Sequence, residues 1–150
     1  IGIGMDTLMT YYPELEGDQK IAKAIQSELN LPFLPYQAIA STLLLQKLDE
    51  QIVKGVTLTC PGFYAPQGRA VRLKPRFDQM IERLAGLQIE GKKLTNFEME
   101  TAGYYALGKL LGHEMLSLNA IVANRPLKKF DNEAEKSVDR LIQVALQLLL

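Results

Sequence analysis

The chain has 150 residues, 47% of them hydrophobic, with 17 basic and 17 acidic side chains in balance. That is enough to bury a core within a single domain, and the balanced charge provides no basic field for nucleic acid or an anionic membrane surface. The single cysteine, Cys60, excludes an internal disulfide, and no apolar run is long enough to span a bilayer. With no signal-peptide pattern at the start, a cytoplasmic location is expected.

In chain order, Ile1 to Gly4 reads as the end of a buried strand. Its abrupt start is expected of the carboxy-terminal portion of a longer protein. Asp18 is placed to cap a helix carrying Ile21, Ile25 and Leu29 on one face, ended by Asn30 and Pro32. Leu31 to Pro35 connects it to a second helix expected from Gln37 to Leu48. From Val53 to Cys60 the period changes to two, with Val56, Leu58 and Cys60 on one side and Thr57 and Thr59 on the other. A loop rich in Pro and Gly, residues 61–69, follows at the carboxyl end of this strand, where ligands bind in open α/β sheets.

A short strand, Ala70 to Leu73, and a helix starting at Pro75 are expected next, followed by a strand over Lys93 to Phe97. Ala102, Ala106 and Leu110, with Leu107 and Leu111 beside them, mark a helix that Gly112 ends in left-handed conformation. Met115 to Ala123 reads as a continuous apolar strand covered on both faces. Asn124 to Asn132 is a polar loop suited to a mobile flap. Asn132 and Glu135 form a capping-box pattern before a helix whose stripe is Val138, Leu141, Ile142, Ala145, Leu146 and Leu149. Alternating strands and helices predict an α/β fold.

The loop suggests chemistry of its own. A uracil-type base shows an acceptor, an N–H donor and an acceptor along one edge. The Gln67 amide offers a donor and an acceptor, and Arg69 adds donors. Two positions apart in an extended loop, the two side chains leave on one side.

Three runs carry a more specific signal: Gly-Val-Thr-Leu-Thr-Cys-Pro-Gly-Phe-Tyr-Ala-Pro-Gln-Gly-Arg (55–69), Asn-Phe-Glu-Met-Glu-Thr-Ala (96–102) and Asn-Ala-Ile-Val-Ala-Asn-Arg (119–125). In order and separation they resemble the uridine phosphorylase branch of the nucleoside phosphorylase family, and Gly2 to Leu8 fits the same pattern. The resemblance implies a three-layer αβα sandwich around a mixed sheet, with the family's amino-terminal half absent from this chain.

It further implies phosphorolysis of the N-glycosidic bond, in which phosphate attacks ribose C1′ as the base leaves with negative charge. Gln67 and Arg69 would be the catalytic donors facing that charge, and Phe63 would pack on the base. Met99 would lie along the sugar. Glu100, at a helix start, would accept from the 2′ and 3′ hydroxyls, and Arg125 would orient Arg69 through water. Glu98 is a supporting residue only. Purine-specific relatives carry an Asp where this chain has Val122-Ala123-Asn124-Arg125, so a pyrimidine is expected. Asn124 leaves a 6-oxopurine option open.

No Cys/His cluster suggests a metal, no cofactor is expected, and the resemblance implies inorganic phosphate as co-substrate and a homo-oligomer, dimer or hexamer. The family's phosphate ligands lie in the upstream half, so the 150 residues alone are expected to be inactive. The alternatives are a purine or broad-specificity phosphorylase, and a non-catalytic nucleoside-binding or assembly module. His113, without Ser, Cys or acid partners, reads as structural, Cys60 as a packing residue, and Gly2-Ile3-Gly4 as too short for a phosphate-binding motif.

Overall fold

A computed structural model describes residues 1–150 apart from Glu16 and Asp78, with Pro13 described by its backbone alone. The elements are β1 (Gly2–Gly4), α1 (Leu8–Tyr11), a 3-10 turn at Pro13–Leu15, α2 (Lys20–Leu29), β2 (Tyr36–Ala38) and α3 (Thr42–Gln46). They continue with β3 (Val56–Thr59), a 3-10 turn at Ala65–Gln67, α4 (Met80–Ala85), β4 (Gln88–Ile89), β5 (Lys92–Glu98), α5 (Thr101–Leu110), β6 (Ala123–Asn124), β7 (Lys129–Phe130) and α6 (Ala134–Leu149). Five strands form one sheet in the order β2-β1-β3-β5-β4. The central strands β1, β3 and β5 run parallel, and β2 and β4 close the edges antiparallel.

Both faces of the sheet are covered, as a parallel centre requires. On one face Ile3, Val56, Leu58 and Cys60 pack against Ile21, Ile25 and Leu29 of α2 and Met80 and Leu84 of α4. On the other, Tyr36, Ala38 and Ala40 meet Ala102, Tyr105 and Ala106 of α5. This is the α/β layered architecture expected, with helices on either side of a mixed sheet. Each fully buried aliphatic chain in these layers contributes about 1.5–3 kcal/mol. The glycines of β1 permit close approach: a Cβ on Gly2 would stand 2.8 Å from the Ala102 Cα, and one on Gly4 2.0 Å from the Tyr36 ring.

The elements with the strongest signals lie near their expected positions. Asn30 ends α2 in left-handed conformation, and Gly112 has φ +74° beyond α5. The caps are displaced: Gln19 rather than Asp18 sits at the N-cap of α2, and Asp18 accepts from the Lys20 N–H. Val56 to Thr59 alternate as expected, with every residue buried.

Several expectations fail. The helix expected over 37–48 is a strand, β2, followed by the short α3, which Ser41 caps by accepting from the Leu44 N–H. Backbone pairing to β1 outweighs the helical spacing there. Residues 70–73 form no strand and lie exposed, and the helix expected from Pro75 begins at Met80. Leu107, Leu110 and Leu111 face solvent, because α5 packs through alanines and Tyr105.

Met115 to Val122 is not a strand. Among the described residues it has no strand partner, and Ala123–Asn124 pairs with Lys129–Phe130 to make a hairpin of the expected flap. Asn132 is not the cap of the last helix. Glu133 holds that position, while Asp131 accepts from the Glu133 N–H and the Ser137 hydroxyl. No residue of α6 is fully buried.

Candidate functional site

An open hollow of about 690 Å³ lies beyond the carboxyl ends of β3 and β5. Phe63, Gln67, Arg69, Met99, Glu100 and Arg125 all line it. The six residues expected from the motifs, up to 62 positions apart in the chain, therefore share one cavity. The 119–126 segment forms its far wall, so the stretch that failed to become a strand still serves the site.

The base loop is built by a device that alternation did not foresee. Residues 65–67 make a 3-10 turn, and Gly68 follows with φ +74°, a left-handed conformation that a residue with Cβ adopts only with strain. That reversal, rather than an extended chain, brings Gln67 and Arg69 together. Arg69 Nη1 donates to Gln67 Oε1 at 2.6 Å and to the Phe63 carbonyl. Because arginine can only donate, the bond fixes the orientation of the amide: the Gln67 NH2 is left for a ligand. The acceptor expected to meet a ring N–H is thus held by Arg69.

The Arg69 guanidinium stacks 3.6 Å over the Phe63 ring centre. Phe63 thus packs on a cation here, on the face expected to receive the base. Gln67 is 4% exposed, with its side chain sunk into the loop. Arg125 reaches the same loop directly, donating to the Gln67 carbonyl at 2.7 Å while its guanidinium lies 4.8 Å over the Phe97 ring. Burial pushes the Arg69 guanidinium down from its ordinary value. For Arg125, burial and the nearby Arg69 act in the same direction. Both remain cationic at neutral pH, and a negative charge between them would relieve their mutual repulsion.

The other end of the hollow is set by the junction of β5 and α5. Glu100 is the N-cap residue of α5, at the positive end of its dipole, and its carboxylate accepts from the Met99 N–H at 3.2 Å. Met99 is 45% exposed beside it. Motif reading gave too little weight to four neighbours: Thr59, Asn96, Phe97 and Glu98. Thr59 and Glu98 face each other in the parallel register of β3 and β5, and Thr57 donates to Asn96 at 2.6 Å two residues earlier. Two polar residues at opposed positions of adjacent strands were the available signal. Thr101 donates to Ser117, which also accepts from Asn119, and this ties the far wall back to α5.

Among the described residues, the carboxylates lining the hollow are Glu98 and Glu100. The Asn124 side-chain oxygen accepts from the Leu127 N–H at 3.1 Å. His113 and Cys60 stand outside the hollow's lining. Cys60 is fully buried, and burial, reinforced by Glu98, raises its thiol to about 12. Among the described residues no group of three or more His, Cys, Asp or Glu is arranged to hold a metal ion, and no helix is long and apolar enough to cross a membrane. Chemically, the hollow offers two guanidiniums and a carboxamide at one end and a carboxylate at a helix start at the other. It could hold a polar ring and a polyhydroxylated group.

No family model matches the chain. It is 30% identical over 95 residues to the uridine phosphorylase of Thermococcus kodakarensis, a match that covers 63% of this chain and 34% of that protein. Its fold superposes on a nucleoside phosphorylase of Trypanosoma brucei whose crystal structure is described as showing uridine phosphorylase activity, with a TM-score of 0.82 and 25% identity. That likeness covers 99% of this chain and 55% of the other. The chain thus spans about a third of the curated relative and about half of the solved one. In sequence and in fold, the chain is similar to the nucleoside phosphorylase family, on its uridine phosphorylase-like side.

Proposed function

We propose that this chain forms the base- and sugar-binding portion of a uridine phosphorylase, an enzyme that converts uridine and phosphate into uracil and ribose 1-phosphate. The observation that carries the reading is the convergence of Phe63, Gln67, Arg69, Met99, Glu100 and Arg125 on one hollow. As the glycosidic bond breaks, charge gathers on the departing base, where the free Gln67 NH2 and the Arg69 donors receive it. Arg125, through the Gln67 carbonyl, keeps the loop in place, and Glu100 accepts from the ribose hydroxyls.

The pyrimidine preference is supported by the wall facing the base loop. Val122 to Arg125 carry no acid, and the Asn124 oxygen is engaged with Leu127. A purine site would need a group that hydrogen-bonds or protonates the ring nitrogen there. In this reading phosphate is a co-substrate held by residues upstream of the matched motifs, in a longer, homo-oligomeric enzyme, and the 150 residues alone bind nucleoside without cleaving it.

The test is turnover of uridine and of inosine, each with inorganic phosphate, by a protein that joins this chain to its upstream half. Uridine should be cleaved faster, and Arg69→Ala should lower that turnover roughly 100-fold or more while leaving thermal unfolding nearly unchanged. Faster cleavage of inosine would overturn the specificity, and an unimpaired Arg69→Ala enzyme would overturn the assignment of the base site.

A further inference from the structure

The start of α5 is capped in an unusual way. A helix exposes four N–H groups at its first turn, and the N-cap side chain commonly takes one of them. Glu100 holds the N-cap position yet makes no such bond. Glu98 and Thr59 do the capping instead. Glu98 Oε2 accepts from the N–H groups of Glu100 at 2.7 Å and Thr101 at 2.6 Å, and Thr59 Oγ1 accepts from the Ala102 N–H at 2.9 Å. The two cappers are joined, since the Thr59 hydroxyl donates to Glu98 Oε1 at 2.5 Å. Both oxygens of Glu98 are therefore committed to the fold, and the Glu100 carboxylate is left at the wall of the hollow.

We infer that Glu98 is a positioning residue for the sugar end of the site. By capping α5 together with Thr59, it relieves Glu100 of that role and holds its backbone so that the Glu100 carboxylate faces the ribose hydroxyls. Without Glu98, the adjacent Glu100 carboxylate would turn back onto its own helix to take the vacated N–H groups and leave the hollow. The role rests on the proposed function for its ligand. It goes further by assigning recognition of the sugar, separately from the base, to a residue whose two carboxylate oxygens are both engaged by the fold.

Calorimetric titration of the 150-residue chain with uridine and with uracil tests this. Glu98→Ala should weaken uridine binding about tenfold and leave uracil binding within about twofold. Thr59→Val, which removes one bond to Glu98 and the acceptor for the Ala102 N–H but leaves both Glu98 Oε2 bonds and keeps the side-chain shape, should shift the same ratio less and in the same direction. It carries the test should Glu98→Ala fail to fold. In a Glu100→Ala background, Glu98→Ala should cause no further loss, because its effect passes through Glu100. Equal losses for both ligands, an unchanged uridine affinity, or a full Glu98 effect without Glu100 would each overturn the role while leaving the base site standing. Binding of neither ligand to the unmodified chain would overturn the proposed function and this role with it.

Discussion

Two helices of this chain carry the same kind of apolar stripe and end in opposite surroundings. In α2, Ile21, Ile25 and Leu29 are 3%, 1% and 2% exposed against the sheet. In α6, Val138, Ile142, Leu146 and Leu149 are 41% to 80% exposed, and a bond from Lys47 to the Leu148 carbonyl ties its end to the region after α3. Periodicity identifies the face a helix would bury, and only tertiary packing decides whether that face is covered. The same contrast separates the centre of the sheet and the alanine and Tyr105 face of α5 packed on it from residues 113–150, where extended chain, hairpin and helix lie over the surface.

The comparison can be broken most forcefully at Gly4. A Cβ there would stand 2.0 Å from the ring of Tyr36, its cross-strand partner, which is 1% exposed. Gly4→Ala should therefore destabilise at or beyond the upper end of the ~1–3 kcal/mol typical of overpacking, read by chemical denaturation. Next comes the matched pair of helices. Ile25→Ala should cost about 2–5 kcal/mol, whereas Ile142→Ala should change stability by roughly 0.5 kcal/mol or less. A large loss at Ile142 would mean that α6 is covered in solution, and the distinction between the two regions would fall.

Legibility in the sequence followed the same division. The parallel strands, α2, α5 and the base loop announced themselves through period, turn residues and motif, and the six site residues did meet in one hollow. What failed depended on partners distant in the chain. The region around Tyr36 has helical spacing, yet pairing with β1 makes it a strand. Residues 115–122 have the composition of a strand, yet none of the described strands pairs with them. Gln67 and Arg69 come together through a left-handed glycine rather than through alternation, with the side effect that Arg69 occupies the amide oxygen meant for the base. Glu98 read only as a supporting residue because its bonds go to backbone N–H groups and to Thr59, which no motif spells out.

In the proposed function Gln67, Arg69 and Glu100 surround one ligand. Amide and side-chain NMR of the chain titrated with uridine addresses it most directly. Shifts should concentrate in the Gln67 and Arg69 side chains and in the backbone amides of Met99 to Thr101, with α6 unmoved. Shifts confined to one end of the hollow, or centred elsewhere in the molecule, would contradict it.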